Sequence, residues 1–133
     1  MRDLILKMSI SVDGFVSDLD GRNTWMFGAD QEAKAWAVDY IWNASLHIMG
    51  SRSFLAMAPF WPTSTMAFAP PMNQIPKAVF SRQGADILGK AKVALDDLGA
   101  KAGNGQSAEP QPGAESWAKA YVASGDPAEE SRR

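Results

Sequence analysis

The stretch Leu46-His-Ile-Met-Gly-Ser-Arg-Ser-Phe-Leu55 decides the fold. Residues 46–49 predict a short buried strand, Gly50 a turn, and Ser51 the start of a helix. A strand that enters a helix through a glycine directs free backbone N–H groups at one point, where the helix dipole favours an anion. Arg52 adds a guanidinium whose planar fork matches phosphate oxygens. In the alternative interpretation, Gly50 only lets the chain turn and Arg52 is a solvated surface cation.

The bulk composition indicates one globular domain. The chain has 133 residues, of which 46% are hydrophobic and 21% are charged, and its formal net charge is −2. That charge offers no electrostatic reason to bind nucleic acid or an anionic membrane, so we expect neither as a partner. The lack of cysteine and the single histidine, His47, exclude disulfides and disfavour a histidine triad or a metal site. No apolar run approaches the roughly 18 residues of a membrane span, and no signal peptide is recognisable, so we expect a cytoplasmic location.

An α/β pattern precedes this stretch. Residues 4–10 alternate in the manner of an interior strand. Asp30 is a good N-cap for a helix that runs to about Asn43, and its apolar face, with Trp36 and Tyr40, is predicted to lie in the core. A strand, a helix and a strand in succession are typical of an α/β domain with parallel strands.

The loop after the first strand, residues 11–25, carries Asp13-Gly14 at its start and apolar side chains beyond. A loop of this kind at a strand end is typical of a lid over a ligand cleft. The alternative is an ordinary surface loop in which Asp13 caps its own turn.

A second strand end carries a hydroxyl and a cation. Residues 78–80 predict a short strand that ends in Ser81-Arg82. Because α/β sheets bind ligands at the carboxyl ends of their strands, this pair is a candidate phosphate clamp. In the alternative interpretation, it only caps a loop. The proline-containing segments 60–62 and 68–71, before this strand, are predicted to be extended and irregular.

The second half of the chain is weakly patterned. Residues 86–101 predict a helix, residues 102–114 a mobile linker, and residues 117–123 a strand-like run. Asp126-Pro127 is typical of a further helix start. We therefore expect a single domain over residues 1–133, with a flexible insertion at residues 83–114.

Four motifs together resemble one family. They are Met8-Ser-Ile-Ser-Val-Asp-Gly-Phe-Val16, His47-Ile-Met-Gly-Ser-Arg-Ser-Phe54, Phe60-Trp-Pro62 and Ile75-Pro-Lys-Ala-Val-Phe-Ser-Arg82. The chain resembles the dihydrofolate-reductase-like proteins, and most closely the branch related to the reductase domain of the bacterial bifunctional riboflavin biosynthesis protein. The likeness is specific over residues 1–82 and loose over residues 115–130. It implies a three-layer α/β/α fold.

The resemblance also implies a cofactor and a reaction. Such enzymes transfer a hydride from NADPH to a small heterocycle or a ribosyl-pyrimidine, and NADPH lies along the carboxyl edge of the sheet. By this likeness the residues that hold cofactor phosphate at the helix start are Gly50, Arg52 and Ser53. The residues that meet the adenosine 2′-phosphate are Ser81 and Arg82.

The resemblance assigns the first strand end to the nicotinamide. Met8 and Ser9 would lie near its ring, and Asp13 and Gly14 would begin the loop that closes over it. Asp13 is the nearest candidate for a catalytic acid or base, and capping of its own turn remains the alternative.

The chain departs from the family after Asp126, where the family continues into a Gly-Gly strand and three further strands. In the family that strand lies between the strands predicted at residues 4–10 and 46–49. We therefore expect an incomplete sheet in a truncated or fragmentary reductase that binds NADPH weakly or not at all. The alternative function is a non-catalytic module, or a remnant, that pairs its open strands with another copy, as a homodimer, or with a separate second half.

Overall fold

The computed structural model describes residues 3–24, 28, 30–98 and 109–123. Its helices and strands are, in chain order, α1 (Gln31–Trp42), β1 (His47–Gly50), α2 (Ser51–Met57), α3 (Ala69–Gln74), β2 (Lys77–Phe80), α4 (Asp86–Leu98) and β3 (Tyr121–Ala123), with 3₁₀ turns at Trp61–Thr63 and Ala114–Trp117. Where the sequence predicts one domain, the chain divides into two compact units, Met1–Lys34 and Ala35–Arg133. None of the helices in the described ranges combines the length and apolar character that crossing a membrane requires.

The second unit contains a small parallel sheet with the strand order β1-β2-β3. β1 and β2 pair in register from His47 opposite Lys77 to Gly50 opposite Phe80. β3 extends the row, with Ala123 opposite Phe80. The predicted α/β class with parallel strands is confirmed, and the three-layer arrangement stays a prediction.

The core of this unit lies where β2, α2 and α4 meet the second 3₁₀ turn. Phe54, Val79, Ile87 and Trp117 are fully buried there. The ring centroids of Phe54 and Trp117 are 5.8 Å apart. Burial of each large apolar side chain contributes about 1.5–3 kcal/mol, so this cluster holds the helices on the sheet.

A buried amide joins three segments around this core. The Asn73 side chain donates to the Trp61 carbonyl and accepts from Trp117 Nε1, each at 2.9 Å. Because a buried polar group is destabilising unless it is paired, these two bonds determine how the segments dock.

The neighbouring ammonium of Lys77 is almost fully buried. Its Nζ donates to the Ile75 carbonyl at 2.5 Å, to Ser116 Oγ at 2.7 Å and to the Asn73 carbonyl at 3.2 Å. It also lies 4.6 Å from the centroid of a Trp117 ring. Lys77 is therefore a saturated structural cation that ties α3 to the second 3₁₀ turn.

The predicted strand at residues 4–10 is wrong, because this segment forms no strand in the structure. Its apolar side chains are exposed, with Leu4 at 84% and Leu6 at 85%. A strand requires hydrogen bonds to a neighbouring strand, and alternation along one segment does not supply that partner.

The helix predicted after Asp30 is confirmed, and the Asp30 carbonyl accepts from the Lys34 N–H at 3.0 Å in its first turn. The core role predicted for its aromatics is wrong: Trp36 is 63% exposed and Tyr40 also lies at the surface. The two rings stack on each other, with centroids 5.2 Å apart. Residues four positions apart on a helix contact each other without a core, so the periodic pattern did not require burial.

The two proline-containing segments form helical turns, and the prediction of extended backbone is wrong. Residues 61–63 form a 3₁₀ turn, and Pro70 lies in the first turn of α3. Proline is tolerated there because the first N–H groups of a helix have no partner within the helix.

The helix predicted from Asp86 is confirmed through Leu98, and the predicted strand is confirmed at Tyr121–Ala123. The predicted linker residues 102–108 and the helix start at Asp126 lie outside the described residues. At the end of that predicted linker, the Gln111 N–H donates to the Pro62 carbonyl at 2.6 Å.

The backbone conformation and the close packing at position 113 require glycine. Its φ is +84°, and a Cβ atom there would lie 2.9 Å from Gln74 Cα. Gly84 also has a positive φ, +57°, but a Cβ there would meet no described atom within 4 Å. Both glycines have a positive φ, but only at Gly113 would an added Cβ overlap with neighbouring atoms.

We expect Gly84→Ala to lower the free energy of unfolding by about 1 kcal/mol, because alanine is strained at positive φ. Gly113→Ala should lower it by about 3 kcal/mol, because backbone overlap is added to the same strain. Urea denaturation of both variants measures the difference, and equal losses would contradict the close approach of Gly113 to α3.

His47 lies opposite Lys77 at the amino end of the sheet. Burial and, to a smaller degree, the positive charge of Lys77 lower the pKa of His47 to about 4. Burial also lowers the pKa of Lys77, to about 8. His47 Nδ1 is buried without a hydrogen-bond partner among the described residues, so the folded state favours the neutral ring.

Stability should therefore fall as the pH decreases from about 6.5 towards 4, because His47 binds its proton more readily in the unfolded chain than in the folded one. We expect this residue to contribute a loss of about 1–2 kcal/mol, after a discount for the solvent that reaches the ring. Urea denaturation at several pH values tests this, with His47→Gln as the control. An equally steep decline in His47→Gln would assign the effect to other groups.

Candidate functional site

Two predicted phosphate-binding groups meet at the carboxyl edge of the sheet. β1 ends at Gly50 and β2 ends opposite it at Phe80. The next residues are Ser51, which begins α2, and Ser81. The parallel register therefore brings the two strand ends together where α/β sheets commonly bind ligands.

An open cleft of about 530 Å³ lies at this edge. Its lining residues are Ser51, Phe80, Ser81, Arg82 and Gln83. Arg52 and Ser53, which were also predicted to hold phosphate, are exposed in the first turn of α2 and do not line the cleft. The cleft thus combines hydroxyl groups, one guanidinium and one aromatic ring.

Ser81 is buried and performs the capping role of the alternative interpretation. Its Oγ accepts from the Gln83 N–H at 3.1 Å, and its own N–H donates to the Ala123 carbonyl at 3.1 Å. A hydroxyl that accepts one bond can still donate its proton to a ligand. Capping and ligand binding are therefore compatible at this residue.

The two arginines near this edge are exposed cations. Within the described residues neither Arg52 nor Arg82 forms an ion pair. Two exposed guanidinium groups without an ion pair in the described part of the chain favour an anionic ligand. Guanidinium groups in this state can form charge-assisted hydrogen bonds with phosphate.

Gly50 precedes α2 with ordinary extended backbone, φ −79° and ψ 166°. A Cβ atom there would meet no described atom within 4 Å. The idea that the turn itself needs glycine is therefore wrong, because neither φ nor packing excludes a side chain. The open space leaves backbone accessible to a ligand.

The remaining predicted site residues, Met8, Ser9, Asp13 and Gly14, belong to the first unit. The Asp13 carboxylate accepts from Ser11 Oγ at 2.5 Å. The Gly14 N–H donates to the Ser11 carbonyl at 2.9 Å, with φ +87° at Gly14. Asp13 therefore takes part in its own turn, and its catalytic role, like the nicotinamide contacts of Met8 and Ser9, stays a prediction.

Sequence reasoning missed Phe80 and Gln83 as cleft residues. The apolar run that ends in Phe80 is typical of a buried strand, and no local signal separates its last residue from the rest. The signal that could have found Phe80 is non-local: its neighbours in the sheet are Gly50 and Ala123, which are both small.

A smaller cavity, of about 230 Å³, includes Lys77, Ser116 and Lys119 in its lining. All three protons of the Lys77 ammonium are donated within the protein. This cavity therefore offers no free buried cation, and the carboxyl edge remains the better candidate site.

A family model described as "RibD C-terminal domain" matches residues 2–100. The chain belongs to this family. The matched range includes β1, α2, β2 and α4, and therefore both strand ends of the cleft. Residues 109–123, with β3, lie beyond it. No curated protein and no solved structure matches the chain significantly. The resemblance to the reductase domain of the riboflavin biosynthesis protein is thus confirmed.

Proposed function

We propose that the chain is an NADPH-dependent reductase that transfers a hydride to a small heterocyclic or ribosyl-pyrimidine substrate. The observation that carries this proposal is that Ser51, Ser81 and Arg82 line the same cleft at the carboxyl edge of the sheet. It lies within the part of the chain that matches the family.

The residues of this edge fit a phosphate-bearing dinucleotide. Arg82 and Ser81 would hold the adenosine 2′-phosphate, with the guanidinium as a charge-assisted donor and the hydroxyl as a second donor. Gly50 offers backbone without a side chain, and Arg52 and Ser53 would bind the other phosphates from the start of α2. A volume of about 530 Å³ is within the range of small-molecule sites, about 300–1,000 Å³.

When bound, NADPH supplies the hydride. The protein binds the phosphates, orients the cofactor and keeps water from the reacting atoms. The described residues that line the cleft are Ser51, Phe80, Ser81, Arg82 and Gln83, none of which is Asp, Glu or His. Asp13 therefore stays the candidate proton donor.

Titration with NADPH and with NADH tests the proposal. We expect saturable NADPH binding weaker than micromolar, and we expect Arg82→Ala to weaken it about 10- to 100-fold by removal of charge-assisted hydrogen bonds. In Arg82→Ala the affinity for NADH should change by less than about threefold, since NADH lacks the 2′-phosphate that Arg82 would hold. Calorimetry provides the affinities.

The matched control is Lys92→Ala, which removes an exposed cation on α4 outside the cleft. It should leave both affinities unchanged. Equal NADPH affinities for Arg82→Ala and Lys92→Ala, or no saturable NADPH binding by the parent chain, would overturn the proposal.

A second candidate function is a non-catalytic module that pairs with another copy of itself. Among the described residues β1 pairs only with β2, so its other edge has backbone groups available for a further strand. Leu46 and Ile48 at this edge are partly exposed and apolar, and His47 is held neutral. An edge without charged residues or proline is prone to pairing.

Light scattering after size-exclusion chromatography, with hydrogen exchange of the β1 amides, tests this second candidate. We expect a homodimer with protected β1 amides that Ile48→Lys converts to monomer, because lysine on an edge strand opposes pairing. Val93→Lys, at an exposed position on α4, should leave the dimer intact. A cooperatively melting monomer with rapidly exchanging β1 amides would contradict it.

A further inference from the structure

At the amino end of the sheet, a serine hydroxyl lies next to a buried amine. Lys77 Nζ donates to Ser116 Oγ at 2.7 Å, and Ser116 Oγ donates in turn to the Asn73 carbonyl. Lys77 is 2% exposed, whereas Ser116 is half-buried, and both line the open cavity of about 230 Å³. The hydroxyl is therefore the accessible member of the pair, and the amine lies deeper in the protein.

Loss of a proton from Lys77 reverses the direction of one of its hydrogen bonds. Its three acceptors are the Ile75 and Asn73 carbonyls and the Ser116 hydroxyl. A carbonyl has no proton to donate, whereas a hydroxyl can donate or accept. Within this network, the lone pair of neutral Lys77 can therefore accept only the Ser116 proton, which then leaves the Asn73 carbonyl. A serine that donates to a neutral amine is paired with a general base.

Burial brings this loss of a proton close to neutral pH, because it lowers the pKa of Lys77 to about 8. Three other titratable residues adjoin the pair: His47 lies opposite Lys77 on β1, and Glu115 and Lys119 line the cavity. Because the pKa of His47 is about 4, its ring is neutral throughout the range in which Lys77 titrates. A general base is most effective when its pKa is close to the working pH, so Lys77 is suited to this role.

We propose that Ser116 is an acyl-accepting nucleophile with Lys77 as its general base, and that this pair reacts with small, uncharged esters. Ser116 Oγ attacks the ester carbonyl carbon, and its proton passes to Lys77 Nζ as the new carbon–oxygen bond forms. The bond to the leaving alcohol then breaks, and Lys77 returns the proton to the departing oxygen.

The cavity selects the size and charge of the ester. Its volume of about 230 Å³ is below the about 300–1,000 Å³ that is typical of ligand sites, so it suits a small acyl group such as acetyl. Glu115 and Lys119 contribute opposite charges to its lining, which favours an uncharged group.

The probe is p-nitrophenyl acetate, with the acetylated residue located by peptide mass spectrometry. We expect the acetyl group on Ser116, where hydroxylamine removes it because it is an ester and not an amide. The rate constant of acetylation should rise with pH and level off above about pH 8, because only neutral Lys77 accepts the proton. Both measurements use the parent chain and need no variant to fold.

Lys77→Arg and Lys119→Arg are matched variants, because each replaces an amine that lines this cavity with a guanidinium. A guanidinium stays protonated and cannot act as a base. We expect Lys77→Arg to lower the rate constant about 100-fold or more, and Lys119→Arg to change it by less than about twofold. Circular dichroism checks that each variant is folded.

An unmodified Ser116, or acetylation of Lys77 in its place, would overturn the proposal. So would a rate constant that keeps rising in proportion to hydroxide without levelling off, or equal rate constants in folded Lys77→Arg and Lys119→Arg. The pair lies at the amino end of the sheet, and the cleft proposed for NADPH lies at the carboxyl edge. None of these results therefore changes the reductase proposal, and NADPH titration tests that proposal separately.

Discussion

The in-register pairing of β1 with β2 is the constraint on which the candidate site depends. Because Gly50 lies opposite Phe80, β1 and β2 end at the same edge of the sheet. The next residues in the chain, Ser51 and Ser81, therefore lie at that edge. A slip by one residue would move the fully buried Val79 to the open face and Phe80 into the core. Burial of Val79 thus selects the register, and the register assembles the cleft.

The cations at the two ends of the sheet differ in how far their hydrogen-bond donors are satisfied within the protein. At the amino end, Lys77 donates all three protons within the protein, and its neighbour His47 has a lowered pKa that keeps it neutral. At the carboxyl end, Arg82 is exposed and has no ion pair among the described residues. A saturated cation stabilises the fold, whereas an unsaturated one is available to a ligand. This contrast favours the carboxyl edge as the binding site.

One face of the sheet exposes large apolar side chains: Ile48, Phe80 and Tyr121. The two candidate functions use different parts of the sheet. Self-association would use the backbone edge of β1, whereas cofactor binding would use the cleft at its carboxyl edge. Exposed apolar area of this kind is typical of a binding surface.

The sequence by itself determined the short-range features of this protein. It predicted strands at residues 46–49 and 78–80, which the structure has at His47–Gly50 and Lys77–Phe80, as well as the helix that follows Asp30 and the motifs that identify the family. Each depends on neighbouring residues, on turn chemistry or on a local run of apolar side chains. The family resemblance, rather than a local pattern, placed Ser81-Arg82 and the start of α2 at one edge of the sheet.

Only the tertiary structure decided which apolar residues are covered. It left residues 4–10 unpaired, exposed Trp36, folded the proline segments into helical turns and left Phe80 open beside Gly50. Periodicity states which side chains share a face, but the element that covers that face comes from elsewhere in the chain. Strand pairing and burial are long-range properties, and for that reason a local pattern could not predict them.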